Sequence, residues 1–115
     1  MSNESEAEGY ITDWVPITDK LWGRGFLVPG GADTIDKTVA GLDLQDKRIL
    51  DIGSGIGGPA TKLARDYGAS VVGVDIVEDY VAYSAELAKE VAPSANVEFQ
   101  LIEAGELPLS DASCD

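Results

Sequence analysis

The spacing of apolar and polar positions changes along the chain, and each change predicts an element. KRILDI, Lys47 to Ile52, is a short aliphatic run that predicts a strand. SVVGVDI, Ser70 to Ile76, is richer in β-branched residues and has the continuous apolar character of a strand buried on both faces. NVEFQLI, Asn96 to Ile102, predicts a third strand. Between the first two, the spacing predicts a helix from about Pro59 to Tyr67, because proline is tolerated in a first turn that has no use for its missing donor. Between the second and third, Glu78 to Val91 carries an apolar stripe through Val81, Ala85, Ala88 and Val91. That helix starts acidic, as the macrodipole favours, and Pro93 stops it. Upstream, Asp33 or Thr34 caps a short helix through Ile35, Val39 and Leu42, with Gly41 at its frayed end. The order β-α-β-α-β predicts an α/β fold with three parallel strands. Right-handed crossovers lay them side by side in the order 3-2-1, with the first strand at one edge.

Ahead of this unit, residues 1–9 are acidic and small and are expected to form a mobile tail. Residues 10–46 form a helical cap segment in which Tyr10, Trp14, Trp22 and Phe26 cover a core edge or line a pocket. Pro29-Gly30-Gly31 breaks it. No repeat or low-complexity tract interrupts the 115 residues, which suit one domain. No window holds the uninterrupted apolar run of a membrane span, and the N-terminus lacks the basic-then-apolar order of a secretory signal, so a cytoplasmic protein without membrane insertion is expected.

Charge and cysteine use narrow the chemistry. A net charge of -13 repels phosphate backbones and anionic lipid surfaces, which argues against nucleic acid and peripheral membrane partners. The chain has one cysteine, Cys114, and no histidine, so it offers no internal disulfide, zinc site or Cys/His nucleophile pair.

The densest chemical signal is LDIGSGIGGPA, Leu50 to Ala60. Gly53, Gly55 and Gly58 satisfy G-x-G-x-x-G in a turn that leaves a strand and opens a helix, and Asp75 closes the next strand where a ribose-binding acid is expected. Glycines there allow positive φ and let a ligand lie against bare backbone. Asp51 separates two ligand classes. A dinucleotide would bring a pyrophosphate to the turn, and a carboxylate just before the first glycine opposes it. S-adenosylmethionine brings an ammonium and a sulfonium, which that carboxylate attracts. On this reading Asp51, Gly53, Ser54, Gly55 and Gly57 line the cofactor, Asp75 takes the ribose hydroxyls, Ile76 packs the adenine, and Glu103 meets the adenine edge. The structural alternatives are that Gly57 and Gly58 serve helix packing, that Asp75 is a cap, and that Glu103 is a solvated loop acid.

DIGSGIGG followed by VVGVDI resembles motif I and the next acidic motif of class I S-adenosylmethionine-dependent methyltransferases, and LPLSDASCD is similar to the loop leading into their fourth strand. The resemblance spans Lys47 to Asp115 and implies part of a Rossmann-like methyltransferase fold. WGRGFLVPGGADTIDKTVAGLDL is similar to the segment before motif I in phosphoethanolamine N-methyltransferases, also called phosphobase methyltransferases. In that family an upstream tyrosine closes over the active site and assists methyl transfer. Counting back from Gly23 carries that role to Tyr10, and the resemblance gives Leu27 and Val28 a backbone or apolar contact with the cofactor. Val28-Pro29, Thr18 and Glu103 depart from the family's usual residues.

The resemblance implies a direct methyl transfer from S-adenosylmethionine to the nitrogen of a small amine such as phosphoethanolamine, without a metal. It also implies seven strands where three are present, so the chain is expected to stop before the fourth. A partner or self-association would then cover the open edge of the first strand. The competing expectations are methyl transfer to another small molecule, such as a quinone or sterol carbon, and a binding fragment without catalysis.

Overall fold

The computed structural model describes residues 3–105, 107 and 109–115, with side chains from Asp13 onward. Its seven elements are α1 (Asn3–Trp22), α2 (Gly31–Thr38), β1 (Arg48–Ile52), α3 (Gly58–Tyr67), β2 (Ser70–Asp75), α4 (Glu78–Val91) and β3 (Val97–Leu101). The strands are parallel and pair in the order β1-β2-β3, the arrangement expected from the β-α-β-α-β pattern. Asp51 stands opposite Gly73 and Asp75 opposite Leu101, so two acids come to the carboxyl end of one sheet.

The core forms where α3 crosses the sheet. Ala60 and Ala64 of α3 and Ala69 and Val71 beside β2 are buried together, with Ile49, Leu63, Val97 and Phe99 packed around them. Small residues on α3 bring the helix close to the sheet. Gly73 extends that logic: a Cβ there would fall 2.7 Å from the Phe99 ring and 2.9 Å from Ser54 Cβ, so the glycine makes room for both.

In the N-terminal region helix begins before residue 10, within the stretch expected as a tail. Residues 3–9 belong to α1, which runs on through Pro16 to Trp22. Met1 and Ser2 lie outside the described residues. Val15, Thr18 and Phe26 are buried and anchor this region, whereas Trp14 is half exposed. Helix α2 begins at Gly31, ahead of the expected caps Asp33 and Thr34, because positive φ at Gly30 and Gly31 turns the chain into the helix sooner. Within α4 the buried residues are Ser84, Leu87 and Ala88, while Val81, Ala85 and Val91 are only half buried. The apolar stripe is thus rotated toward a serine.

Side-chain ties hold α1 and α2 to this unit. Asp19 accepts the Gly25 amide at 3.3 Å and the Tyr83 hydroxyl at 3.5 Å, and Arg24 pairs with Glu90 of α4. Lys62 of α3 pairs with Asp36 of α2 at 3.2 Å, and the Tyr67 hydroxyl donates to the same carboxylate. On the outer edge of β1 the Asp115 amide donates to the Arg48 carbonyl at 2.8 Å, and the Asp115 carboxylate accepts the Arg48 amide at 2.9 Å.

Candidate cofactor site

The turn from Gly53 to Gly57 lies where β1 hands over to α3, at the carboxyl end of the sheet, the place where open α/β sheets seat ligands. Its glycines at 53, 55 and 57 have φ of 71, 58 and 92, conformations that a side chain would strain. A Cβ at Gly55 would stand 3.3 Å from Leu27 Cδ1, which places Leu27 against the turn. Val28, beside it, is exposed.

The amides of Gly53, Ser54, Gly55, Gly57 and Gly58 are spent on the protein itself. The amides of Gly53 and Ser54 both point at the Val74 carbonyl, at 2.8 and 3.0 Å. The Gly55 amide donates to Asp75 Oδ2 at 3.0 Å. The Gly57 amide reaches the Ser54 carbonyl, the Gly58 amide reaches the Gly25 carbonyl at 2.8 Å, and Pro59 has no amide hydrogen. A phosphate cradle needs such N–H groups free, so this helix start is ill suited to one.

The charge around the turn points the same way. Asp51 is partly buried, and burial raises its pKa above the ordinary carboxylate range, with the nearby Asp75 charge adding to the rise. A cation placed beside Asp51 relieves both effects. After Arg65 the next basic residue is Lys89, and none follows it, so the loops leaving β1, β2 and β3 carry no lysine or arginine, while Asp51, Asp75 and Glu103 stand at or just past the strand ends.

Asp75 does two jobs in this geometry. Its Oδ2 holds the Gly55 amide, and its Oδ1 accepts the Val77 amide at 3.0 Å, where Val77 caps α4. The ligand and capping readings are therefore compatible, since each oxygen keeps a further lone pair. Ile76 follows with 64% of its surface exposed, and Ile52 and Leu101 are similarly exposed at the ends of β1 and β3. An exposed aliphatic side chain thus stands at the end of β1, just past β2 and at the end of β3. Beyond β3 the Ile102 amide donates to the Asp75 carbonyl at 3.0 Å, keeping the chain beside β2 up to the exposed Glu103.

Ser54 is buried with its Cβ beside Gly73, and its hydroxyl finds no hydrogen-bond partner. The side chain of Tyr10 lies outside the described residues. A cavity of about 720 Å³ lies between Leu50 and Gly105, Leu107 and residues 109–114, and none of the predicted site residues is among its described lining. Sequence reasoning missed Ser84, whose hydroxyl lies 3.0 Å from the Gly55 carbonyl. A lone serine near a helical stripe reads as a gap, and only the fold shows what it faces.

Residues 49–115 match the family model described as "Methyltransferase domain". The chain belongs to the methyltransferase-domain family. It is 30% identical over 98 residues to phosphoethanolamine N-methyltransferase 3 of Arabidopsis thaliana, covering 84% of this chain and 20% of that protein. It is 37% identical over 71 residues to the O-methyltransferase cnsE of Penicillium expansum, covering 62% of this chain and 26% of that protein. Among solved structures, it superposes on phosphoethanolamine N-methyltransferase 2 of Haemonchus contortus, in complex with phosphomonomethylethanolamine and S-adenosylhomocysteine. The TM-score is 0.69 at 28% identity, over 83% of this chain and 22% of that one. The chain therefore spans about a fifth to a quarter of the length of these relatives.

Among the described residues, no helix of this methyltransferase-family chain is long and apolar enough to cross a membrane. No group of three or more His, Cys, Asp or Glu residues is placed to hold a metal ion there.

Proposed function

We propose that this chain forms the cofactor-binding part of an S-adenosylmethionine-dependent methyltransferase that methylates the nitrogen of a small amine such as phosphoethanolamine. The observation that carries the cofactor assignment is the glycine turn in which the Gly53, Ser54, Gly55, Gly57 and Gly58 amides are committed internally and whose mouth is acidic. That combination suits a cationic ligand and opposes a pyrophosphate.

When bound, S-adenosylmethionine supplies a methyl group on a positively charged sulfur, already activated for displacement. The chain's residues hold and orient it. Asp51 offsets the ammonium, and Asp75 accepts the ribose hydroxyls with the lone pairs its backbone bonds leave free. Ile76 covers the adenine face, Glu103 meets its edge, and Leu27 and Val28 flank the turn. Tyr10 orients the acceptor amine. These groups would accelerate the reaction by fixing donor and acceptor in line.

The amine acceptor is supported by the likeness to the Arabidopsis and Haemonchus enzymes. The Penicillium relative supports a second reading, an oxygen acceptor, because its name specifies O-methylation. Incubation with methyl-labelled S-adenosylmethionine separates the two. Label on phosphoethanolamine and not on a phenol supports the amine reading; label on the phenol alone replaces it with the second. Tight cofactor binding with label on neither leaves a binding fragment.

A further inference from the structure

We propose that Ser84, a residue outside the glycine turn, is a positioning residue that holds the turn in its cofactor-accepting shape through the Gly55 carbonyl. The inference rests on the cofactor reading above and is independent of the acceptor.

Ser84 is fully buried in α4. Its Oγ lies 2.7 Å from the Tyr80 carbonyl within its own helix and 3.0 Å from the Gly55 carbonyl across the helix-turn boundary. A hydroxyl has one proton, so the two carbonyls share one donor. The seat is shaped for this residue. A Cβ on Gly57 would meet Ser84 Cβ and Oγ at 2.7 Å, so the bare backbone at position 57 lets α4 bring the hydroxyl to the turn.

Gly55 is consequently held at both ends. Its amide is bound by Asp75 Oδ2, and its carbonyl faces Ser84. Asp75 is also the carboxylate assigned to the ribose, so the oxygen that holds the Gly55 amide shares its remaining lone pair with the ligand. Ser84 carries no such second duty, because it is fully buried. Its hydroxyl helps to hold Gly55 at positive φ while Asp75 serves both the turn and the ligand.

The test is calorimetric titration of the 115-residue chain with S-adenosylhomocysteine, comparing wild type with Ser84→Ala, Ser84→Cys and Thr61→Ala. Thr61 is the control: it is a buried hydroxyl on α3 without a hydrogen-bond partner. Ser84→Ala is expected to weaken binding about fivefold, the usual effect of removing one partner from a buried hydrogen bond. Ser84→Cys, which fills the space with a weaker donor, falls between the two, and Thr61→Ala binds as wild type. If Ser84→Ala does not fold, the Cys variant carries the comparison. Wild-type affinity in the Ser84 variants, or an equal loss in Thr61→Ala, overturns the positioning role alone. Failure of the wild type to bind overturns the cofactor reading and this inference together.

Discussion

The Gly25 carbonyl accepts the Gly58 amide at 2.8 Å, and this bond seats the segment after α1 on the first turn of α3. The two backbones are close enough that a Cβ at Gly25 would fall 2.8 Å from Gly58 Cα and 2.6 Å from Leu87 Cδ2, at a φ of 93. Gly25→Ala therefore combines overpacking with left-handed strain. Denaturant unfolding should show a loss of about 3 kcal/mol or more. A loss under about 1 kcal/mol would mean that the segment is not seated this way.

Asp75 joins the turn, the start of α4 and the proposed ribose position. Replacing it with alanine removes the acceptor for two backbone amides and the proposed ligand contacts. S-adenosylhomocysteine binding should weaken at least about tenfold, on the scale of one or more charged hydrogen bonds. Asp75→Asn, which keeps one carbonyl acceptor, should lose less. Unchanged affinity in the alanine variant would reduce Asp75 to a cap.

The Asp51 carboxylate titrates above the ordinary range because burial and Asp75 penalise its charge. For an acid the sign is clear: a raised folded pKa lowers stability as pH rises from the unfolded value through the folded one. A bound ammonium reverses the preference, so cofactor affinity should rise over the same window, just above the ordinary carboxylate pKa, with proton release. Titrations across that window should show the rise in wild type and its loss in Asp51→Asn.

At the other end of α3, Asp66 is held down to about 2 by hydrogen bonds from Arg65 and Lys62. A depressed acid stabilises the fold above its unfolded pKa and ceases to as pH falls through its folded value. The pairs are surface pairs, so Asp66→Asn should cost only about 0.5 kcal/mol in urea unfolding at neutral pH. The difference from wild type should vanish near pH 2.

The strands were legible because each is a bounded aliphatic run, and β1, β2 and β3 fall within one residue of the runs that predict them. Asp51 and Asp75 were legible from their places at strand ends beside a glycine turn. The N-terminal geometry was not. Gly25 and Gly58 meet through a bond between residues far apart in sequence, and nothing in local periodicity marks such a meeting. Ser84 was hidden for the same reason. The stripe of α4 seemed to centre on Val81, Ala85 and Ala88, but the sheet and turn draw in Ser84 and Leu87. Helix α1 was obscured by Pro16, which argues locally against a long helix.

The central claim is that the turn between β1 and α3 seats a cationic methyl donor in preference to a dinucleotide. Calorimetric titration of the chain with S-adenosylhomocysteine, and separately with NAD, tests it most directly. Saturable binding of S-adenosylhomocysteine with no heat from NAD is the predicted result. Binding of NAD without any response to S-adenosylhomocysteine would contradict it.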